Sequence, residues 1–211
     1  MKRILVCFAV SQEAAPFKPQ AGVTVLVTGM GAANVQRVLP QALDREKPDA
    51  VLTCGFAGAL DPALPIGAVL GETTDALLTE LLEQADVLLR RFLCADRVAV
   101  TAAEKSRLHA ETECDVVEME SGIIQKLCTQ RGLPCATVRA VSDVASKDLP
   151  LDFNKLLDAQ HRLSSLGLIG AILRRPSAIP GLMRLGRDSS LAARNLALCL
   201  SRITTDALAR P

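Results

Sequence analysis

The sequence alternates short apolar runs with stretches of helical periodicity, and this alternation restricts the chain to few folds. The helical stretches are Ala32–Arg45, Asp75–Phe92, Ala103–His109 and Met119–Arg131. The apolar runs are Ile4–Val10, Val23–Thr28, Ala50–Cys54, Gly67–Leu70, Arg97–Thr101 and Ala136–Val141. These runs are continuously apolar, which predicts strands covered on both faces. We therefore predict a three-layer α/β/α fold with a central mixed, mostly parallel sheet.

The last quarter of the chain has a different pattern. After Phe153 it becomes entirely helical, and Asp188 is a plausible N-cap for a final helix that runs towards Ile203. A chain of 211 residues that is 49% hydrophobic can bury one substantial core. Neither an internal repeat nor a linker divides it. We expect a single domain over residues 1–211, with residues 162–211 as a helical C-terminal extension packed on it.

Charge is distributed unevenly. Residues 162–211 contain eight Arg, no Lys and two acids, which gives +6 and leaves −5 for the remainder of a chain whose net charge is +1. This basic tail fits either a solvated helix face or peripheral contact with an anionic membrane surface. The chain has no Trp or Tyr and only five Phe. It therefore lacks the aromatic platforms on which nucleic-acid bases stack, and we expect no nucleic-acid partner.

Cysteine and histidine usage limits the chemistry further. Seven cysteines are scattered along the chain without a CxxC pair. This pattern is typical of a reducing compartment and predicts a cytoplasmic location. The two histidines, His109 and His161, have no metal-ligand spacing, so we expect no metal site. The apolar start at Ile4–Val10 is interpreted as a buried strand, and Leu166–Leu173 is too short to span a bilayer.

Two glycine-rich motifs follow predicted strands. GMGAAN begins at Gly29 and ends at Asn34, where a dinucleotide fingerprint would have Gly or Ala, so a tight turn whose amides face a small ligand is favoured. CGFAGALDPALPIG, residues 54–67, predicts a loop that lets backbone approach a ligand closely. A plain turn set by Asp61 and Pro62 is equally compatible with it.

Two further motifs contain carboxylates at unusual positions. In VVEMES, Glu118 and Glu120 flank Met119 directly after two apolar residues, where they could point inward or cap a surface helix. In VRAVSDVA, Arg139 and Asp143 bracket an otherwise buried strand. The carboxyl end of a strand is where α/β sheets place ligand chemistry. A structural ion pair explains that motif as well as catalysis does.

In this order and spacing, the motifs resemble the nucleoside phosphorylase superfamily, most closely the methylthioadenosine/S-adenosylhomocysteine nucleosidases. The resemblance extends from Met1 to about Phe153, and VVEMES and RAVSDVA are its most specific parts. It implies an enzyme that cleaves the N-glycosidic bond of a purine-type nucleoside. It also implies that no cofactor takes part and that the protein is a homodimer.

The resemblance implies a role for each matched residue. Glu13, in AVSQEAAPF, would activate the attacking water, and Arg139 would help to position it. Met119 would pack against the ribose, while Glu120 would accept hydrogen bonds from its hydroxyl groups. Asp143 would give a proton to the purine base. This division suits a reaction that forms a ribosyl cation and a base anion.

The surroundings of the pocket are only partly like those of the family. Phe153 matches an aromatic wall of the pocket, and Gly58 belongs to the loop expected to contact substrate. Phe56 stands where the family usually has Ser or Thr. Arginines that phosphorolytic relatives use for phosphate are not evident, which favours hydrolysis. The stretch between Leu70 and Arg97 is short, so a region that normally contributes to the pocket and to dimer contacts is missing.

The tail resembles a different branch of the same superfamily. Residues 174–198, RRPSAIPGLMRLGRDSSLAARNLAL, are similar to the hopanoid-biosynthesis-associated phosphorylases. That similarity implies phosphorolysis of a nucleoside that bears a large lipid, and contact with a membrane surface. Futalosine hydrolases are another short branch. A nucleoside-binding protein without turnover remains a separate alternative.

Overall fold

The structure, a computed structural model, describes residues 1–156 and 165–210, and the side chains of 165–167 are outside this description. His161, residues 162–164 of the expected tail and Pro211 also lie outside the described residues. The strands are β1 Ile4–Phe8, β2 Val23–Val27, β3 Ala50–Ala59, β4 Val69–Thr73, β5 Leu88–Leu89, β6 Phe92–Cys94, β7 Val116–Glu118 and β8 Cys135–Asp143. The helices are α1 Ser11–Ala14, α2 Ala32–Glu46, α3 Ala76–Gln84, α4 Ala102–Thr112, α5 Ser121–Thr129, α6 Ser165–Arg174 and α7 Ile179–Ala209.

The strands form one mixed sheet in the order β2-β1-β3-β8-β4-β5. The neighbours β1–β2, β1–β3, β3–β8 and β4–β5 are parallel, whereas β4 runs antiparallel to β8. Strand β7 pairs antiparallel with the end of β3, and β6 adds to β7 in parallel. The parallel strands β1, β3 and β8 therefore bring their carboxyl ends to one edge of the sheet.

Helices cover both faces of this sheet. Alternate residues of β1 enter different clusters: Ile4, Val6 and Phe8 pack with residues of α3 and α7, whereas Leu5 and Cys7 pack with residues of α2 and α5. A strand whose every side chain is buried requires this two-sided cover. The expected α/β class with a mixed, mostly parallel sheet is confirmed.

The longest helix, α7, completes the core. Its second half contributes Leu196, Leu200 and Ile203, each at most 1% exposed, to the cluster that includes β1, β3 and β8. Leu198, on the opposite side of the helix, is 67% exposed. Burying one such leucine contributes about 1.5–3 kcal/mol. The C-terminal extension is therefore part of the hydrophobic core.

Several expected boundaries were wrong. Residues 97–101 are not a strand: the side-chain amide of Asn154 accepts from the backbone N–H of Val98 and donates to its carbonyl, each at 2.9 Å, in place of a neighbouring strand. The helix expected to continue to Phe92 ends at Gln84, because Asp86 turns left-handed and β5 and β6 follow.

Two elements are longer than expected. Strand β3 continues to Ala59, so most of the second glycine motif lies in the sheet and not in a loop. Helix α7 begins at Ile179 and not at Asp188, which lies inside it. Pro180 does not interrupt this helix because it occupies the first turn, where its missing N–H costs nothing.

Candidate active site

A cavity lies at the carboxyl ends of β1, β3 and β8. Its wall comes from four regions: the segment after β1, the end of β3, the junction of β7 and α5, and the end of β8. The lining residues are Ala9, Val10, Glu13, Met30, Phe56, Ala57, Gly58, Arg97, Val98, Ala99, Val117, Glu118, Met119, Glu120, Ser142 and Asp143. This is the edge at which open α/β sheets bind ligands.

Arg139 lies beneath one side of the cavity and does not line it. Its side chain, on β8, is 1% exposed, and one terminal nitrogen, Nη2, contacts the carboxylates of Glu118 and Glu120 and the hydroxyl of Thr53. Burial by itself lowers the pKa of this guanidinium, but the surrounding carboxylates raise it above its ordinary value. Arg139 is thus a fixed positive charge. Its Nε has no hydrogen-bond partner among the described residues.

Glu118 joins Arg139 to the start of α5. Its carboxylate accepts the backbone N–H groups of Glu120, at 3.0 Å, and Ser121, at 2.9 Å, and so satisfies donors that a helix start leaves free. Burial raises the pKa of Glu118, but Arg139 and these donors outweigh burial, so that the pKa lies below its usual value. Glu118 is therefore an ionised partner of Arg139.

Glu13 is held by backbone amides. One of its oxygens accepts from Ala9 N and Val10 N, both at 3.1 Å, and the other accepts from Phe56 N at 2.8 Å. Burial raises its pKa, and the opposing effects of Arg139 and the backbone donors do not cancel the rise. Gly55 makes room for this arrangement, since a Cβ there would lie 2.7 Å from both the Glu13 carboxylate and an Arg139 nitrogen.

Glu120 connects the first glycine motif with the site. Its Oε1 accepts the backbone N–H of Gly31 at 2.9 Å, and its Oε2 lies 3.6 Å from Arg139 Nη2. Burial raises the pKa of Glu120 to about 7, against the lowering effect of Arg139. The amides of this motif were expected to face a small ligand, but the amide of Gly31 instead binds a carboxylate of the same chain, that of Glu120. Met30, from the same turn, lines the cavity.

Asp143 occupies the other side of the cavity. A bulge in the pairing of β3 with β8 leaves Ser142 without a partner residue, and Gly58 then aligns with Asp143. Asp143 Oδ1 accepts the Ser142 hydroxyl at 3.1 Å, while Oδ2 forms an ion pair with the ammonium of Lys105. The sequence suggested a structural ion pair for Asp143. Asp143 does form one, but with Lys105 and not with Arg139.

The remaining expected residues fall into two groups. Phe56, Gly58 and Met119 line the cavity, and a Cβ at Gly58 would lie only 3.1 Å from Asp143 Oδ2. Phe153 is not among the lining residues. It packs against Leu151 and the cluster that joins α6 to α7.

Sequence reasoning missed two residues that the structure brings to the site. Lys105 occurs in a polar stretch, and nothing in the spacing of that stretch distinguishes it from an exposed lysine. Glu118 was recognised in its motif without a role; its place directly after two buried valines was the available signal. Within the described residues, no cluster of His, Cys, Asp and Glu could hold a metal ion, and no helix is long and apolar enough to cross a membrane.

Comparison with known proteins places this geometry in a family. A family model described as the phosphorylase superfamily matches residues 19–71 and 71–166. The 5′-methylthioadenosine/S-adenosylhomocysteine nucleosidase of Lysinibacillus sphaericus is 24% identical over an alignment of 185 residues, and the match covers 71% of this chain and 80% of that protein. That of Anoxybacillus flavithermus is 26% identical over an alignment of 173 residues, and the match covers 65% of this chain and 74% of that protein.

Solved structures show the same fold. The 5′-methylthioadenosine/S-adenosylhomocysteine nucleosidase from Neisseria meningitidis in complex with methylthio-immucillin-A aligns with a TM-score of 0.74 and 18% identity, covering 98% of this chain and 100% of that one. Native futalosine hydrolase of Helicobacter pylori aligns with a TM-score of 0.70 and 17% identity, covering 97% and 98%. With the family match extending over more than half of its residues, the chain belongs to the phosphorylase superfamily.

Proposed function

We propose that this protein hydrolyses the N-glycosidic bond of a purine-type nucleoside. The observation that carries the proposal is the division of one cavity into two charged sides. Glu13 and Glu120, backed by Arg139, form one side, and Asp143 forms the other. The superfamily match and the nucleosidase relatives favour the same activity.

The two sides suit the two halves of the reaction. As the bond breaks, positive charge develops on the ribose, and carboxylates beside it lower the energy of the transition state. Glu120 would accept hydrogen bonds from the ribose hydroxyl groups, with Met119 against the sugar. Glu13 is a buried carboxylate with a raised pKa, which suits it to take a proton from water. Asp143 would protonate the departing base.

Water is favoured over phosphate as the nucleophile. Glu13, Glu118 and Glu120 all line the side of the cavity from which the nucleophile would approach, and Arg139 behind them is already paired with carboxylates. The ionised carboxylate of Glu118 would repel a phosphate anion there, since like charges in a poorly solvated site interact strongly. Arg97 lines the cavity too, but its guanidinium forms an ion pair with Glu104.

The direct test is incubation with adenosine, methylthioadenosine, S-adenosylhomocysteine and futalosine, each with and without phosphate. We expect free base and free sugar regardless of phosphate, and we expect Asp143→Asn to reduce the rate by about 10²–10⁴-fold. Asp152→Asn is the matched control, because Asp152 pairs with exposed Lys155 outside the cavity. Release of sugar phosphate would show that the reaction is phosphorolysis and not hydrolysis. Tight binding without any product would identify a nucleoside-binding protein.

A second candidate function is peripheral contact with an anionic membrane. Ile169 and Leu173 in α6 are 55% and 74% exposed, and Met183 in α7 is 66% exposed. Four exposed arginines accompany them: Arg174, Arg175, Arg184 and Arg187. We call these seven residues the basic apolar patch. Apolar side chains among arginines fit the boundary between lipid headgroups and acyl chains, where each cation contributes about 1 kcal/mol.

Vesicle sedimentation tests this contact. The wild-type protein should bind vesicles that contain phosphatidylserine and should dissociate at high salt. Leu173→Glu with Met183→Glu should abolish binding, whereas Leu198→Glu, an exposed leucine outside the patch, should not. Deletion of the tail is not a usable test because α7 contributes to the core. Equal binding by both variants, or none by the wild type, would contradict membrane contact.

A further inference from the structure

Lys105 is an unusual residue within its helix. Helix α4 has a low content of apolar residues, yet its one buried side chain among residues 102–112 is that of Lys105, which is 0% exposed. Removing an ammonium group from water costs several kcal/mol unless it is paired and its hydrogen-bond donors are satisfied. A surface helix has no need of such a residue for stability. We therefore expect the burial of Lys105 to be explained by the group that its ammonium contacts.

That group is Asp143, together with two backbone carbonyls. Lys105 Nζ donates to Asp143 Oδ2, to the carbonyl of Val144 at 2.9 Å and to the carbonyl of Lys147 at 3.2 Å. An ammonium has three N–H donors, so all of them are used. The three acceptors belong to β8 and the segment directly after it. Lys105 thus fixes the end of β8 at the point where Asp143 enters the cavity.

The pair has one member in the cavity and one behind it. Asp143 lines the cavity and keeps 18% of its side chain exposed, whereas Lys105 is not among the lining residues. Substrate in the cavity could touch the carboxylate but not the ammonium. Any effect of Lys105 on the reaction must therefore pass through Asp143.

The proposed reaction makes a specific demand on this pair. An Asp143 carboxylate that is ion-paired with an ammonium carries no proton of its own, yet the departing base needs one. The nearest proton is on Lys105 Nζ, which donates to Asp143 Oδ2. Moving it to the carboxylate converts the two charges of the pair into two neutral groups, so the step leaves no separated charge behind the cavity.

We propose that Lys105 is a positioning residue that acts through Asp143: it fixes the carboxylate against the cavity and hands it the proton that the leaving base takes up. This inference rests on the proposed function. An N–H bond of the ammonium breaks as an O–H bond forms on Asp143, and that proton then moves to a nitrogen of the base as the glycosidic electron pair departs with the base. Glu13 takes the proton of the attacking water. After the products leave, Asp143 takes up a proton from solvent and returns it to the neutral Lys105, and Glu13 loses one.

Two substrates separate this role from a purely structural one. A purine nucleoside needs its leaving group protonated, whereas 4-nitrophenyl β-D-ribofuranoside releases a stable anion and needs no proton. We expect Lys105→Met to reduce kcat for the purine nucleoside by at least about 100-fold and to change kcat for the nitrophenyl riboside by less than about threefold. KM for either substrate should change little. Lys155→Met, in the exposed pair with Asp152, is the matched control and should behave as wild type on both.

Lys105→Arg provides the second variant. Arginine keeps the positive charge and the ion pair but does not give up a proton at any ordinary pH. It should restore the thermal stability lost in Lys105→Met without restoring kcat for the purine nucleoside. Equal losses on the two substrates, or full activity of either variant on the purine nucleoside, would overturn the inference while leaving nucleoside hydrolysis intact. A wild-type protein that releases no base from any nucleoside would instead overturn the proposed function, and the inference with it.

Discussion

At the scale of single residues, the cavity is an arrangement of buried opposite charges. Four carboxylates line it, and two buried cations lie behind them: Arg139 behind Glu13, Glu118 and Glu120, and Lys105 behind Asp143. Removing one partner of a buried ion pair is costly, by about 3–5 kcal/mol, because it leaves a charge without compensation. Backbone geometry must therefore hold each charge close to its partner, and the glycines beside them make this approach possible.

Gly55 is the clearest example. We expect Gly55→Ala to reduce kcat/KM by about 100-fold, since displacement of Glu13 or Arg139 by roughly 1 Å is enough for such a loss. The new Cβ would lie 2.7 Å from both side chains, and φ at Gly55 is +153°, where a side chain adds strain. Steady-state kinetics on the active nucleoside measures the loss.

Gly132→Ala separates the two effects at Gly55. Gly132 also has a positive φ, +63°, but nothing lies within 4 Å of the Cβ position. It should lower stability without lowering kcat/KM. If both substitutions reduce activity equally, backbone strain and not the close approach accounts for the loss at Gly55.

Glu120 predicts a pH-dependent stability. Burial raises its pKa to about 7, so its neutral form favours the folded state, and this stabilisation is complete below its ordinary pKa of 4.5 and lost as pH rises through about 7. The change is on the order of 3 kcal/mol. Urea unfolding of Glu120→Gln should therefore show less loss of stability between about pH 5 and about pH 8 than wild type. Glu111→Gln, an exposed control, should follow wild type.

At the scale of elements, α7 and β8 decide where the site can form. Strand β8 carries both Arg139 and Asp143, and its bulge at Ser142 turns Asp143 towards the cavity. Helix α7 packs on β8 with the buried side of its second half. The basic C-terminal segment, which the sequence suggests is an appendage, therefore supports the strand that carries two charged residues of the site.

Substitutions in α7 test this support. Leu200→Ala, at a residue with 0% exposure, should reduce the free energy of unfolding by about 2–5 kcal/mol, because it removes buried surface and leaves a cavity. Leu198→Ala, in the same helix but 67% exposed, should change it by less than about 0.5 kcal/mol. Chemical denaturation measures both. Similar effects of the two would mean that α7 does not pack on the sheet in solution.

At the scale of the whole molecule, surface composition predicts how the chain meets its partners. The basic apolar patch is exposed on the extension, whose net charge is opposite to that of the rest of the chain. The homodimer implied by the family resemblance stays a prediction, as does a single domain over the full chain. Salt dependence separates a membrane from a second copy of the chain as the partner of this patch: membrane binding weakens with salt, whereas apolar self-association does not.

Sedimentation velocity over a range of concentrations tests the assembly. We expect a species of twice the mass of one chain that persists at high salt and in Leu173→Glu with Met183→Glu, because the patch is assigned to the membrane. Arg45→Gln, an exposed arginine outside the patch, is the control for charge loss. Dissociation of the dimer by the double substitution would assign the patch to self-association.

The sequence by itself determined the α/β class, since continuous apolar runs of strand length have to be covered by helices on both faces. It also determined that Glu120 and Asp143 follow buried strands. Parallel pairing of β8 with β3 then brought Asp143 to the cavity, and antiparallel pairing of β7 with the end of β3 brought Glu120 there. It did not reveal that residues 97–101 lack a strand partner, because Asn154, 56 residues away from Val98, supplies the hydrogen bonds of Val98. Nor did it place Phe153 away from the cavity wall.

Only the tertiary structure decided which charges pair. Arg139 and Asp143 are neighbours in sequence, yet Arg139 pairs with Glu118 and Glu120, and Asp143 pairs with Lys105, which lies 38 residues earlier. Periodicity reports which side of an element is buried, but the energy of a buried ion depends on distances to groups on other elements. Strand order, the bulge in β8 and the approach of α4 set those distances, and no local pattern contains them.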